Sequence, residues 1–208
     1  MISHAHKTIF IHIPKAAGQS VEEAFLADLN LDWDDRAELL LKKNTDPKKG
    51  PQRLAHLYAR EYVELGHIDQ ETYDAYTTFA VIRHPYDRVC SEYTYRPYRK
   101  TGPFWLFLLR PYKNDFVDMV RHMVPQSRFI FDTEGKSLVK NIIRFENIAD
   151  EIDSLFEDIF GKKTLLPRRN IRKTHRKPLR SKLTRWHKKR IYKLHKEDFD
   201  HFGYDREF

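Results

Sequence analysis

Two runs of six residues, Thr8-Ile9-Phe10-Ile11-His12-Ile13 and Thr77-Thr78-Phe79-Ala80-Val81-Ile82, constrain most strongly what this chain can fold into. Both are rich in β-branched and aromatic residues and almost continuously apolar, as strands buried on both faces should be. Each ends on a proline-bearing turn, at Pro14 and at His84-Pro85, and each leads into helical apolar spacing. After the first, Ser20 is placed to cap a helix with Val21, Ala24, Phe25 and Leu29 on one face. After the second, Tyr86 to Tyr95 reads as a helix with Val89 and Tyr93 aligned. Strand–turn–helix units in series predict an α/β fold, with a mainly parallel central sheet flanked by helices.

The remaining chain fits that plan. Residues 42–53, with Pro47, Gly50 and Pro51, read as an exposed loop, and Arg53 to Leu65 as a helix. Asn114 to Met123 predicts another helix, while Arg128 to Phe131 and Asn141 to Phe145 are short strand candidates. Ile148 to Phe160 aligns Ile148, Ile152, Leu155, Phe156 and Ile159 on one helical face. From Ser181 onward Leu183, Trp186, Ile191 and Leu194 alternate with Lys and Arg, which fits a helix lying on the rest of the domain. No repeat divides the 208 residues, and 40% hydrophobic content suffices for one core, so residues 1–208 are expected to form a single domain.

Several classes are excluded. The longest apolar run, Phe104 to Leu109, falls far short of the roughly 20 residues that cross a bilayer. The first residues lack the apolar core of a secretory leader, so a cytoplasmic protein is expected. One cysteine, Cys90, allows no internal disulfide and no multi-cysteine metal site, and it reads as a small buried hydrophobe. The charge is unevenly spread. Residues 161–208 hold 17 Lys or Arg against 5 Asp or Glu, whereas residues 1–160 hold 21 against 25. A basic segment of this kind favours a polyanionic ligand: a nucleotide, a sulfated or phosphorylated substrate, nucleic acid or an anionic membrane surface. A nucleic-acid partner is not expected, because the tail offers only Trp186, Tyr192 and a few Phe for stacking and no recognisable binding motif.

Both turns suit an anion. In His12-Ile13-Pro14-Lys15-Ala16-Ala17-Gly18-Gln19-Ser20, the small residues at 16–18 let the backbone approach a ligand. The helix that follows aims its free N–H groups at that ligand, while Lys15 adds a full charge and Ser20 a hydroxyl. The order differs from the kinase-type G-x-x-x-x-G-K-[ST] loop, since Lys precedes Gly here. In the second turn, Arg83 stands at the C-terminal end of a strand, where open α/β sheets bind ligands, and Ser91 follows about two helical turns on. A guanidinium fork plus a hydroxyl suits a terminal phosphate.

Together these segments resemble the sulfotransferases that use 3′-phosphoadenosine 5′-phosphosulfate (PAPS), specifically the branch of Golgi carbohydrate sulfotransferases and their smaller bacterial relatives. The family loop H-I-P-K-x-x-G-x-S is matched by His12 through Ser20, and V-x-R-x-P-x-x-R-x-x-S-x-Y by Val81, Arg83, Pro85, Arg88, Ser91 and Tyr93. The likeness continues through Ile143-Arg144-Phe145-Glu146-Asn147, Leu166-Pro167 with Asn170, and Tyr192 to Asp198-Phe199 and Phe202-Gly203-Tyr204. It departs at Ala16-Ala17, where Thr-Gly or Thr-Ala is commoner, and at Gln19, where Thr is usual.

The resemblance implies a P-loop-like nucleotide-binding fold and sulfuryl transfer from PAPS to an acceptor hydroxyl, with a carbohydrate among the candidate acceptors. In it, Lys15, Ala16, Ala17, Gly18, Gln19 and Ser20 hold the phosphosulfate, and Arg83 and Ser91 hold the 3′-phosphate. Asn170, Arg172 and Lys173 fall in a loop near that phosphate and the adenine. Lys15 stabilises charge on the leaving phosphate oxygen, and no metal is expected, because the sulfuryl group carries less negative charge than a γ-phosphoryl. The segment H-L-x-A-R-E, here His56 to Glu61, supplies the base at His56, with His67 in Gly66-His67-Ile68 as the rival. His12, within the first strand, is expected to pack or to orient neighbours.

Overall fold

The computed structural model describes residues 1–95, 102–164, 166–167 and 179–208. Its centre is a four-stranded sheet formed in order by Ile2–Ser3 (β1), Thr8–Ile11 (β2), Thr77–Ile82 (β3) and Asn141–Arg144 (β4). β2, β3 and β4 run parallel, in a register that sets Phe10 beside Phe79, Ile11 beside Ala80 and Val81 beside Ile143. β1 pairs antiparallel with β2 through Ile2 with Ile9 and Ser3 with Thr8. Two residues are too few to show a period, so this edge strand leaves no pattern in the sequence. β2 and β3 are buried almost throughout, which is why they read as continuous apolar runs.

Parallel neighbours need long crossovers, and helices supply them. Gly18–Asp28 (α1), Glu61–Glu64 (α2) and Gln70–Ala75 (α3) lie between β2 and β3. Pro85–Tyr95 (α4), Phe104–Phe107 (α5), Asp118–Arg121 (α6) and Ser127–Ile130 (α7) lie between β3 and β4. Ile148–Phe160 (α8), Arg185–Leu194 (α9) and Lys196–Phe202 (α10) follow β4. No helix among the described residues is long and apolar enough to cross a membrane.

One apolar cluster surrounds the sheet, with Phe10 and Phe79 at 4.8 Å between ring centroids and Phe25 edge-on to Phe156. A second joins Tyr86, Val89, Cys90 and Tyr93 of α4 to Phe104, Phe107, Leu108, Ile191 and Phe199. The basic helix α9 therefore does pack on the domain. It does so through Ile191, which is fully buried, while Trp186 stays 48% exposed, off the expected apolar face.

Some expected elements differ. α1 starts at Gly18 with Ala17 as its cap, so Ser20 lies buried inside the first turn and is not a cap. Arg53 to Leu65 is not one helix but a 3-10 turn, Leu54–His56, and then α2. Glu61 and Arg121 cause the break: Glu61 accepts from the Tyr58 N–H at 2.8 Å, and Arg121 donates to the His56 carbonyl at 3.0 Å. The helix expected over Asn114 to Met123 contracts to α6. Arg128 to Phe131 is helical, in α7 and its cap, because Asp198 accepts from the Ser127 N–H at 2.8 Å and holds a helical turn there. The loop 42–53 is partly enclosed: Lys43 bridges Arg53, and Gly50 and Pro51 are buried. Cys90 is a buried thiol among apolar neighbours, as expected.

Candidate active site

The turn after β2 is shaped by its backbone. Lys15 and Ala17 both take left-handed conformations, φ 70° and φ 62°. For non-glycine residues this costs on the order of 1–3 kcal/mol each and concentrates at ligand-binding loops. Ala17 caps α1 without a side-chain hydrogen bond, which leaves the positive end of an eleven-residue helix facing the turn. Ala16 is fully buried, so its small size serves packing. Gly18 is required by a neighbour: a Cβ there would stand 1.9 Å from His12 Nε2. Gly18→Ala is therefore expected to cost about 1–3 kcal/mol by overpacking, read as a lower urea midpoint, because His12 is held between Glu22 and His56 and has little room to retreat. A midpoint equal to wild type would mean that the loop relaxes freely.

The turn after β3 lies directly against the first. Arg83 Nη1 donates to the Lys15 carbonyl at 3.3 Å, and its guanidinium carbon sits 4.2 Å from the centre of the Phe145 ring. Its backbone is clasped on both sides by the Gln126 amide, at 2.9 and 2.7 Å. The Arg83 Nε is buried and has no hydrogen-bond partner among the described residues. Burial lowers this guanidinium from its usual value without discharging it. Arg88, also part of the sequence motif, faces inward instead. It is almost wholly buried and donates to the carbonyls of Pro14 (3.0 Å), Val124 (2.8 Å), Arg121 (3.4 Å) and His122 (3.0 Å).

On α4, Asp87, Ser91 and Tyr95 stand four residues apart and so share one face. The Lys15 ammonium lies 3.5 Å over the Tyr95 ring at one end of that face, and Arg180 pairs with Asp87 at 2.5 Å at the other. Ser91 sits between them, half-buried. Gln19 is likewise half-buried, at the start of α1. Asn170, Arg172 and Lys173 lie outside the described residues.

The histidines form a buried row. His12 donates from Nδ1 to Glu22 at 2.5 Å, with its ring edge-on to His56 at 4.9 Å; His56 is in turn edge-on to His122 at 5.0 Å. His56 donates from Nδ1 to Asp118 at 2.5 Å, and His122 from Nδ1 to Glu92 at 2.7 Å. Because carboxylates only accept, these contacts assign the ring protons to Nδ1. Burial pushes the His56 imidazole down to about 3, against the pull of Asp118, so the ring is neutral through the physiological range. His56, Asp118 and His122 offer three ligand atoms within 4.8 Å of one another, close enough for a shared ion. Arg53 already brings a positive charge to that carboxylate, at 3.6 Å. His67, the rival base, spends Nε2 on the Lys49 carbonyl at 2.8 Å, and no contact joins it to this row among the described residues.

Residues 1–205 match the sequence pattern of the Sulfotransferase family, nearly the whole chain. The chain belongs to the sulfotransferase family. No curated protein and no solved structure matches it significantly.

In this sulfotransferase the α/β fold brings Lys15 to Ser20, Arg83 and Ser91 together beyond the C-terminal ends of β2 and β3, and His12 links that end to His56. Sequence reasoning did not pick out Asp118, His122, Glu22, Glu92 or Tyr95. Asp118 stands 62 residues from His56, with no local spacing to betray it. Tyr95 could have been found, since it lies one turn beyond Ser91 on the same face.

Proposed function

We propose that this sulfotransferase transfers the sulfuryl group of PAPS to an acceptor hydroxyl, with Lys15 as the electrostatic catalyst and His56 as the base. When bound, PAPS supplies an activated phosphoric–sulfuric anhydride whose S–O bond breaks as the acceptor oxygen attacks. The residues present fit such a ligand. Arg83 keeps a buried Nε with no partner among the described residues beside the first turn, and two left-handed residues open that turn where a helix begins. The single observation that carries the reading is the contact of Arg83 with the Lys15 carbonyl, because it sets both anion-binding turns within reach of one nucleotide.

The main-chain N–H groups around Ala16 to Gln19 and the Ser20 hydroxyl cradle the phosphosulfate. Lys15 leaves the Tyr95 ring to meet charge building on the bridging oxygen. Arg83 and Ser91 hold the 3′-phosphate, joined by Asn170, Arg172 and Lys173. His56 presents the lone pair of Nε2 to the acceptor hydroxyl and takes its proton. The acceptor is read as a hydroxyl-bearing molecule, with an anionic glycan favoured by the basic α9, which packs on α4.

The test is calorimetric titration with adenosine 3′,5′-bisphosphate. Micromolar binding without added metal is expected, together with a rise in melting temperature from ligand linkage. Arg83→Ala is expected to weaken binding by about 10–100-fold, the loss of a charge-assisted pair. No binding at millimolar nucleotide overturns the reading. Transfer from labelled PAPS across a panel of acceptors then identifies the substrate.

A further inference from the structure

We propose that Asp118 is the positioning residue of the base, and that it works as the middle link of a buried series, Glu92–His122–Asp118–His56, ending at the acceptor hydroxyl. The inference rests on the reading of His56 as the base and adds what makes that base usable.

An isolated imidazole has two tautomers, and only one of them offers Nε2 as a lone pair. Asp118 settles the choice. Its Oδ1 lies 2.5 Å from His56 Nδ1 and accepts only, so the proton stays on Nδ1 and Nε2 is left to accept. The ring angle is held as well. His12 and His122 press edge-on from two sides at 4.9 and 5.0 Å, and the His56 carbonyl is anchored by Arg121, itself doubly paired with Glu61.

Asp118 is held with equal care. Its backbone N–H donates to the Gln52 side chain, its Oδ2 lies 3.5 Å from His122 Nε2, and Arg53 Nε stands 3.6 Å away. Burial opposes the charge, yet the two imidazoles beside it, His122 and His56, keep the carboxyl well below the usual carboxylate range. The far side of His122 is closed by Glu92, whose side chain is wholly buried. The outer links, Glu92–His122 and Asp118–His56, are buried hydrogen bonds, which fix geometry more firmly than at the surface, and the middle one is a 3.5 Å side-chain contact.

The step balances as follows. The acceptor O–H bond breaks as its electron pair forms the new O–S bond, and the proton passes to His56 Nε2. The S–O pair leaves on the phosphate beside Lys15. Asp118 takes no proton. It stabilises the imidazolium through the Nδ1–H bond, as a carboxylate does behind other catalytic imidazoles.

Asp118→Asn tests this while keeping the shape. The Asn amide would donate to Nδ1 and move the ring proton to Nε2, which blocks the acceptor face. The expected result is a fall in kcat of about 10²–10⁴-fold, with acceptor KM and adenosine 3′,5′-bisphosphate affinity within about twofold. The ¹⁵N spectrum of histidine-labelled protein is expected to show the His56 tautomer reversed, a readout that needs no activity. If Asp118→Asn folds poorly, Asp118→Glu retains the acceptor, restores the wild-type tautomer and recovers part of kcat. Unchanged kcat and an unchanged tautomer in a chain that binds nucleotide normally overturn the role of Asp118 while leaving His56 as the base. Full activity of His56→Ala overturns the base assignment itself.

Discussion

Lys15→Ala is expected to reduce transfer by at least about 10³-fold, equivalent to about 4 kcal/mol of transition-state stabilisation. The effect should fall on kcat rather than on binding. In the proposed site Arg83, the loop amides and Ser91 would remain to hold the nucleotide, whereas charge on the bridging oxygen develops only as the bond breaks. The variant should fold, because Ala tolerates the left-handed backbone at position 15 about as well as Lys does, and Ala17 in the same turn adopts it already. Single-turnover kinetics with adenosine 3′,5′-bisphosphate titration in parallel separate the two quantities. A loss confined to KM would make Lys15 a binding group only.

Arg88→Ala should do the opposite, with stability as the casualty. Four carbonyls from two separate stretches converge on this one guanidinium, which is buried to within 1%. Truncation leaves those acceptors unsatisfied and opens a cavity beneath Pro14, for a cost of about 3–5 kcal/mol. Urea unfolding with an unchanged slope and a much lower midpoint is the expected outcome. Arg88→Lys keeps the charge but cannot span four acceptors, so it should fall in between. A wild-type midpoint in the alanine variant would show that water or a shift of Val124 satisfies the carbonyls. Nucleotide affinity should drop with stability, because Pro14 opens the turn that carries Lys15.

The strands and helices with a clear period were legible from the residues alone. α8 runs from Ile148 to Phe160, as its apolar face predicts, and β3 covers the whole apolar run from Thr77 to Ile82. The misreadings have distant causes. Arg128 to Phe131 looks like a strand until Asp198, 71 residues away from Ser127, pins a helical turn there. The break after His56 depends on Arg121, 65 residues on. The two turns proposed to bind anions could be seen because their chemistry is compact in sequence: a lysine, small residues and a helix start. The row of imidazoles and carboxylates could not, because its members come from the residue after β2, α1, the 3-10 turn before α2, α4, and α6 with its cap. Only folding assembles them.

Because Ile11 pairs with Ala80, the two turns leave the sheet side by side, one ladder spacing of about 4.8 Å apart. That neighbourhood is set by the sheet register, before any ligand arrives. Two independent loops would each surrender conformational freedom on meeting a ligand, and affinity would fall accordingly. Here the entropy is given up once, when the chain folds. Recognition is left to depend on contacts alone, so the site is preorganised by the sheet itself.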